Sequence, residues 1–441
     1  MSTIHPKLRT LFVPVAALAF AACGDDEPTG PIDDGLDNIA EIAQDTDDVS
    51  TLVAALESAG LVPALEGEGP FTVFAPVNSA FTELGSDVVT ALLETANADL
   101  LERILTFHVV EGTAAFSTDL SDGQTVSTLG GEELTIGVSG STVTVNGVQV
   151  TTADIEASNG VIHLVGGVLV PPVDIVERAI LTAETQTLVD AVVAGDLAET
   201  LKGEGPFTVF APVDAAFEAL GTDKLEVLLA PENQALLQKI LTYHVIAGDV
   251  RAADLADGAT ATTVEGTEVT FDLSGETPKV NGAGIVATDI ETTNGVIHLI
   301  DGVLTENADI VDVATLNGFE TLVELVEQQS LTATLRGDNG GEGYTVFAPT
   351  DEAFAALSSV PSGQALTDVL LYHVIGTTVP SSALSDEQVV TTQEGSAFTV
   401  NIDGSTVTIT DGSGATVEVV LTDVPAANGV VHVIDGVLLP S

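Results

Sequence analysis

The sequence is short of basic residues, of cysteine and of large aromatic side chains. Lysine and arginine together number 10 against 66 aspartates and glutamates, there is one cysteine, and tryptophan is absent. A single cysteine excludes an intramolecular disulfide, so the fold must be held by its apolar cores. A formal net charge of -56 excludes nucleic acid as an expected partner, because binding the phosphate backbone requires lysine and arginine.

The acidic surface has two interpretations that the sequence leaves open. Mutual repulsion of the carboxylates strains the compact state, and salt relieves that strain, which would suit a salty habitat. Alternatively, the charge simply keeps the surface solvated and the protein free of aggregation. Such a surface is compatible with weak, diffuse binding of divalent cations. No metal site is predicted, because neither His-Glu-x-x-His nor an EF-hand pattern is present.

The N-terminus resembles the signal peptide of a bacterial lipoprotein. Within residues 1–23, Lys7 and Arg9 precede a short apolar stretch, and Ala21-Ala22 precede Cys23. We expect Cys23 to be lipidated and to anchor the protein to a membrane, the alternative being cleavage nearby with a free thiol. Residues 24–34 are polar and rich in glycine and proline, which predicts a flexible tether.

Two sequence blocks occur three times along the chain. Gly67–Val77 recurs unchanged as Gly203–Val213 and returns, one residue shorter, as Gly341–Thr350. A second block begins at each of Asn159, Asn294 and Asn428. Repeats of this length are whole domains. We therefore predict three domains, at residues 35–173, 174–307 and 308–441.

Each repeat reads as helices followed by strands. Leu237, Ile240, Leu241 and His244 have the spacing of one face of a helix, and the same pattern ends at His108 and His373. Asn146-Gly147 between valine-rich runs predicts a β-hairpin. This order of elements predicts an α+β domain. The helix after the first strand should be N-capped by the polar residue that follows that strand. These residues are Asn78, Asp214 and Asp351.

The repeated blocks resemble the signatures of fasciclin-type domains. Phe-Thr-Val-Phe-Ala-Pro is similar to the first signature, and Asn-Gly-Val-Ile-His-Leu followed by Asp-Gly-Val-Leu is similar to the second. Tyr243-His244 and Tyr372-His373 match the Tyr-His between them. The resemblance spans residues 35–441. It implies a wedge of two β-sheets with packed helices in each domain, and a role in extracellular adhesion or matrix binding.

The resemblance also implies ligand contacts, because Tyr-His and a nearby Asp-Ile pair are linked to integrin binding in animal members. The corresponding residues are Tyr243, His244, Tyr372, His373, Asp154, Ile155, Asp289 and Ile290. Phe107 and Val424 depart from the pattern in the first and third copies. The residues themselves favour a structural role, with histidines buried and neutral, tyrosines packed on the sheet, and each Asp-Ile entering a strand.

We therefore predict a lipid-anchored surface protein that binds a matrix component, a polysaccharide or another cell's protein. An envelope scaffold without a dedicated ligand is the main alternative, and a small-molecule carrier is the least favoured. Nucleophile-elbow, phosphate-loop and dinucleotide motifs are absent from the sequence, so we expect neither catalysis nor a cofactor.

Overall fold

The structure is a computed structural model, and it describes residues 36–441. Three domains follow one another, each with helices, a first strand, further helices and then a run of strands. This repeated order confirms the predicted α+β class. Cys23 and the tether at residues 24–34 lie outside the described residues.

In the first domain the helices are α1 Ile39–Gln44, α2 Ser50–Ser58, α3 Val62–Leu65, α4 Asn78–Leu84, α5 Ser86–Leu92 and α6 Ala98–Phe107. Its strands are β1 Phe71–Pro76, β2 Val109–Glu111, β3 Thr125–Ser127, β4 Glu133–Ser139, β5 Thr142–Val145, β6 Val148–Ala157 and β7 Gly160–Val165.

The second domain has helices α7 Ile175–Ile180, α8 Gln186–Ala194, α9 Ala198–Leu201, α10 Asp214–Leu220, α11 Thr222–Leu229 and α12 Gln234–Tyr243. Its strands are β8 Phe207–Pro212, β9 Val245–Ala247, β10 Thr260–Thr262, β11 Glu268–Asp272, β12 Lys279–Val280, β13 Ala283–Thr292 and β14 Gly295–Ile300.

The third domain has helices α13 Ile310–Leu316, α14 Glu320–Gln328, α15 Thr332–Leu335, α16 Asp351–Ala355 and α17 Gln364–Tyr372. Its strands are β15 Tyr344–Pro349, β16 Val374–Ile375, β17 Gln388–Thr391, β18 Ala397–Asp403, β19 Thr406–Thr410, β20 Thr416–Ala426 and β21 Gly429–Ile434. It has no counterpart of α5 and α11, and residues 356–363 connect α16 to α17 instead.

The strands of each domain form one hydrogen-bonded series, in the order β2-β1-β7-β6-β5-β4-β3 in the first domain. The two expected sheets are thus joined by a shared strand: β6 pairs with β5 at its start and with β7 along the rest, and register shifts interrupt the second pairing. Bulges of this kind bend a strand. The two repeated sequence blocks are the parallel neighbours β1 and β7.

Close contact between these two strands explains the glycine of the Asn-Gly turn. A Cβ on Gly160 would lie 2.1 Å from the carbonyl oxygen of Phe71, and the same approach occurs at Gly295 and Gly429. Side chains that are larger than hydrogen would push β7 away from β1.

Each domain has apolar packing on both faces of its sheet. Along β1, Val73 and Ala75 belong to the core under the helices, whereas Phe74 belongs to the core on the other face. The core under the helices continues through all three domains. On the other face each domain keeps a core of its own.

The predicted N-caps are wrong. Helices α4, α10 and α16 begin at Asn78, Asp214 and Asp351 themselves, and the preceding residue occupies the cap position in an extended conformation. The side chains instead accept hydrogen bonds from the first turn of an earlier helix, and the donors are the backbone N–H groups of Thr51, Thr187 and Thr321. These side chains therefore cap an earlier helix of the same domain, by accepting N–H groups of its first turn, and do not cap the helix that they begin.

Candidate functional site

The three histidines that follow the long helices are structural ties. His244 follows α12 and is 2% exposed. Its Nδ1–H donates to the carbonyl oxygen of Ile240 at 2.8 Å, and its Nε2 accepts the N–H of Leu304 at 2.9 Å. His108 and His373 make the same two kinds of bond. Each imidazole therefore ties the end of a helix to the chain segment that follows the last strand of its domain.

These imidazoles are neutral at physiological pH. Burial lowers the pKa of His108, His244 and His373 from 6.5 to about 4, and the hydrogen bond to the helix carbonyl offsets only part of that effect. Both nitrogens of each ring are engaged by the backbone, so neither is free to bind a metal or to move a proton. Among residues 36–441 no group of three or more histidine, cysteine, aspartate or glutamate side chains could hold a metal ion.

The two tyrosines next to these histidines are also buried. The Tyr243 hydroxyl donates to the carbonyl oxygen of Glu268 at 3.1 Å and accepts from Asn281 Nδ2 at 2.6 Å. Tyr372 is 0% exposed, and its hydroxyl donates to the carbonyl oxygen of Ala397 at 2.8 Å. Phe107 fills the same place in the first domain without a hydroxyl. The expectation that these rings pack against the sheet is confirmed.

The Asp-Ile pairs lie inside the long strands β6 and β13, so the expectation that they enter a strand is wrong, and each pair holds a short 3-10 turn against its strand. Asp289 has a left-handed φ of 57°, and its carboxylate accepts the N–H of Ala252, the first residue of that turn, at 2.9 Å. Ile290 is half-buried against the core under the helices. Asp154 accepts the N–H of Ser117 in the same way, and Asp423 does so in the third domain.

Hydrogen bonding also lowers the pKa of the Asp154 carboxyl. Burial alone would raise that pKa, but the hydrogen bonds from the hydroxyl and N–H of Ser117 outweigh burial. The carboxylate is therefore ionised at neutral pH and committed to Ser117, although it is exposed.

A second buried histidine lies behind each Asp-Ile pair. His298 in β14 accepts the N–H of Asp289 at its Nδ1, at 3.2 Å, and its Nε2–H donates to the carbonyl oxygen of Val250 at 2.8 Å. Its ring stacks on Phe210 with 5.4 Å between ring centroids. Asp289 thus contacts His298, while Tyr243 and His244 lie at the end of α12. The structure does not bring the predicted ligand contacts of this domain into one hydrogen-bonded group, and their role in binding stays a prediction.

Sequence reasoning missed the asparagine that precedes the glycine of each second block. Asn294 Oδ1 accepts the N–H of Ile175 at 3.0 Å, and its Nδ2 donates to the carbonyl oxygens of Leu201 and Gly203. Asn159 and Asn428 do the same in the other domains. This amide joins the first helix, the third helix and the last strand. Its partners are about 90 to 120 positions away in sequence, so no local pattern identifies them.

A polar concavity in the second domain was also missed. It has a volume of about 610 Å³. It is lined by residues 202–206, Asp249, Arg251 and residues 292–295. The Arg251 guanidinium is held by Asp249 at 2.6 Å and by Glu291 at 3.0 Å. Lys202 has a looser ion pair with the exposed Glu199, at 3.7 Å, so its ammonium is the more available cation.

The Fasciclin domain profile matches residues 47–171, 183–306 and 317–440. The chain belongs to the fasciclin-domain family. It is 28% identical over 422 residues to transforming growth factor-beta-induced protein ig-h3 of Oryctolagus cuniculus, covering 91% of this chain and 58% of that protein. It is 48% identical over 130 residues to protein sll1483 of Synechocystis, covering 30% of this chain and 72% of that protein.

A solved structure, that of a FAS1 domain pair from the insect cell adhesion molecule Fasciclin I, is also similar. It covers 58% of this fasciclin-domain chain and 93% of its own, with 19% identity and a TM-score of 0.31. This chain spans 50 to 58% of the length of the ig-h3 proteins it matches. No helix among residues 36–441 is long and apolar enough to cross a membrane.

Proposed function

We propose that the protein is an exported adhesion or binding protein, whose tandem fasciclin domains are presented to a matrix component, a glycan or a cell-surface protein. Fasciclin domains occur in cell-adhesion proteins, which supports this role. The buried, backbone-bonded histidines support binding without catalysis, because a general base must reach its substrate.

The observation that carries the proposal is the concavity in the second domain. Its volume falls within the ~300–1,000 Å³ typical of ligand sites, and its lining is polar. The lining offers the Lys202 ammonium, the Thr293 side chain and backbone groups of the glycine-rich loop at residues 203–205. Groups of this kind suit the hydroxyls and carboxylates of a saccharide. The other domains each have a single lysine or arginine, Arg103 in the first and Arg336 in the third.

The experiment is a binding screen of the full chain against neutral and acidic polysaccharides, repeated with Lys202→Glu. The control is Lys279→Glu, which makes the same charge change at an exposed side chain of β12 in the same domain. We expect binding to fall in the first variant alone. Equal binding by both variants, or no saccharide bound by the native chain, would contradict the assignment of the concavity.

A scaffold role is the second candidate, and the short connections between domains favour it. A small-molecule carrier with its site in the core under the helices has little support. The cavities between helices and sheet measure about 60 Å³ in the second domain, 30 Å³ in the third and 20 Å³ in the first. These volumes are several-fold below the ~300 Å³ at which small-molecule sites begin.

We also propose that Cys23 carries the lipid anchor. The support is the signal-like sequence before it and its place as the single cysteine. Metabolic labelling with an alkyne fatty acid, followed by membrane fractionation, tests this proposal. Cys23→Ser should lose both the label and the membrane association. Retention of the variant in the membrane fraction would rule out anchoring through this residue.

A further inference from the structure

The connections between the domains are very short. Leu169 is bonded to His108 of the first domain, and the carbonyl oxygen of Val173 already accepts the N–H of Thr293 in the second domain, at 2.8 Å. Residues 170–172 alone lie between these two ties. The second connection has the same construction, with residues 305–307 between Leu304 and Ala308. Neither connection is long enough to act as a flexible linker.

A basic residue at one helix position reaches across each junction. Arg103 in α6 forms a salt bridge with Glu177 of the second domain, with 2.5 Å between Nη1 and Oε1. Its guanidinium also donates a hydrogen bond to the carbonyl oxygen of Pro172. Lys239 occupies the same position in α12 and forms a salt bridge with Asp312 of the third domain, with 2.6 Å between Nζ and Oδ2. In both cases the acidic partner is the third residue of the next domain's first helix.

The second junction holds a compact group of four charges. Lys239 and Arg336 both contact Asp309 and Asp312, at distances of 2.6 to 3.3 Å. The side chain of Asp312 is 3% exposed. Burial would raise the pKa of Asp312, but the bonds to Lys239 and Arg336 lower it. A buried carboxylate that lost one of its bases would keep an uncompensated charge, so the junction resists opening.

A helix completes each contact. α5 packs against α7 across the first junction, and α11 packs against α13 across the second. The helices that receive these contacts, α7 and α13, each have a buried apolar residue at their C-terminal end. Leu181 directly follows α7, and Leu316 is the last residue of α13. The first domain has the exposed Asp45 at this position. This one position is therefore apolar in the two domains that follow another domain here, and acidic in the first.

The third domain lacks both the packing helix and the basic residue. The eight residues 356–363 replace the packing helix, and Asp368 stands where Arg103 and Lys239 stand in the other domains. An aspartate there would face the acidic third residue of any following helix with the same sign of charge.

We infer that two features form an inter-domain coupling element: the packing helix, α5 or α11, and the basic residue four positions before the end of the next helix, α6 or α12. This element locks the three domains into one stiff unit. It fits the acidic first helix of a following fasciclin domain. The third domain is not built to couple a further domain in this way. Any binding sites on the three domains are then held at fixed separations, which raises the effective concentration of a second site once the first is bound.

The test is a distance distribution between spin labels on the second and third domains. Labels replace Glu276 and Ser405, which are exposed, in the full chain with Cys23→Ser so that no other thiol reacts. The disrupting variant is Lys239→Asp. This helix position accepts aspartate, since Asp368 is native in the third domain. Circular dichroism checks that the variant stays folded.

We expect a narrow distribution in the parent chain and a broader, shifted one in Lys239→Asp. Two controls should leave the distribution narrow: Lys279→Asp, which makes the same change away from the junction, and Asp368→Lys, at the equivalent position of the third domain. A broad distribution in the parent chain would overturn the inference, as would a narrow one in Lys239→Asp.

Discussion

Mild acid should destabilise the protein through the histidines that end the long helices. The pKa of His244 is about 4 in the folded chain and 6.5 in an exposed imidazole. The unfolded chain therefore binds a proton between these values that the folded chain does not bind. Since stability rises with pH wherever the unfolded state binds more protons, the free energy of unfolding falls as pH drops below about 6.5.

The size of the effect follows from the two pKa values. Lowering the pH from 7.5 to 5 should remove about 2 kcal/mol per histidine, and the loss levels off at about 3 kcal/mol below pH 4. His108 and His373 have the same bonds and the same lowered pKa, so each domain should show the same dependence. Protonation also removes the acceptor for the N–H of Leu304, and this hydrogen bond ties the chain segment after β14 to the end of α12.

The assay is guanidinium unfolding at pH 7.5 and pH 5, followed by circular dichroism, with an NMR titration of the imidazole carbons. The matched variant is His244→Gln, because the amide offers N–H donors and a carbonyl acceptor but does not titrate. This variant should be less stable at pH 7.5, with a lower melting temperature in the second domain, yet lose less on acidification. An imidazole that titrates near 6.5 in the folded chain, or an unchanged pH dependence in the variant, would refute the reasoning.

Three further outcomes are expected. Val192→Leu should stabilise the second domain by about 0.5–1 kcal/mol by filling the cavity under its helices. The equivalent residue of the first domain is Leu56, and the cavity there is 20 Å³ instead of 60 Å³. A lower melting temperature would show overpacking. Asp289→Ala should cost about 1 kcal/mol or more by removing the acceptor for Ala252, with Asp289→Gly milder because glycine tolerates the positive φ. Unchanged stability with lost ligand binding would instead make Asp289 a ligand contact. Molar salt should raise the melting temperature if carboxylate repulsion matters, and a flat response would argue against a halophilic interpretation.

Local patterns predicted the elements that depend on local physics. The spacing of Leu237, Ile240, Leu241 and His244 fixes one face of a helix, so burial of the histidine followed from periodicity alone. The Asn146-Gly147 turn has positive φ at both residues, as a two-residue hairpin turn requires. The order of helices and strands, and its repetition, likewise lie within short stretches of sequence.

Tertiary partners decided the roles that were assigned wrongly or missed. Asp214 stands where an N-cap is expected, yet the donor nearest its carboxylate belongs to Thr187, 27 positions earlier. The amide of Asn294 finds its partners about 90 to 120 positions away. A single sequence carries no signal for such pairs, because distance along the chain says nothing about proximity after folding.

By itself, the sequence determined that this chain is three copies of one α+β fasciclin unit, since repeats and periodicity are properties of the order of residues. Only the tertiary structure decided how the copies meet. Arg103 and Glu177 are 74 positions apart and belong to different domains. Their attraction acts once the apolar cores have folded and placed one helix against the next, and the short connections then leave the charges almost no other arrangement.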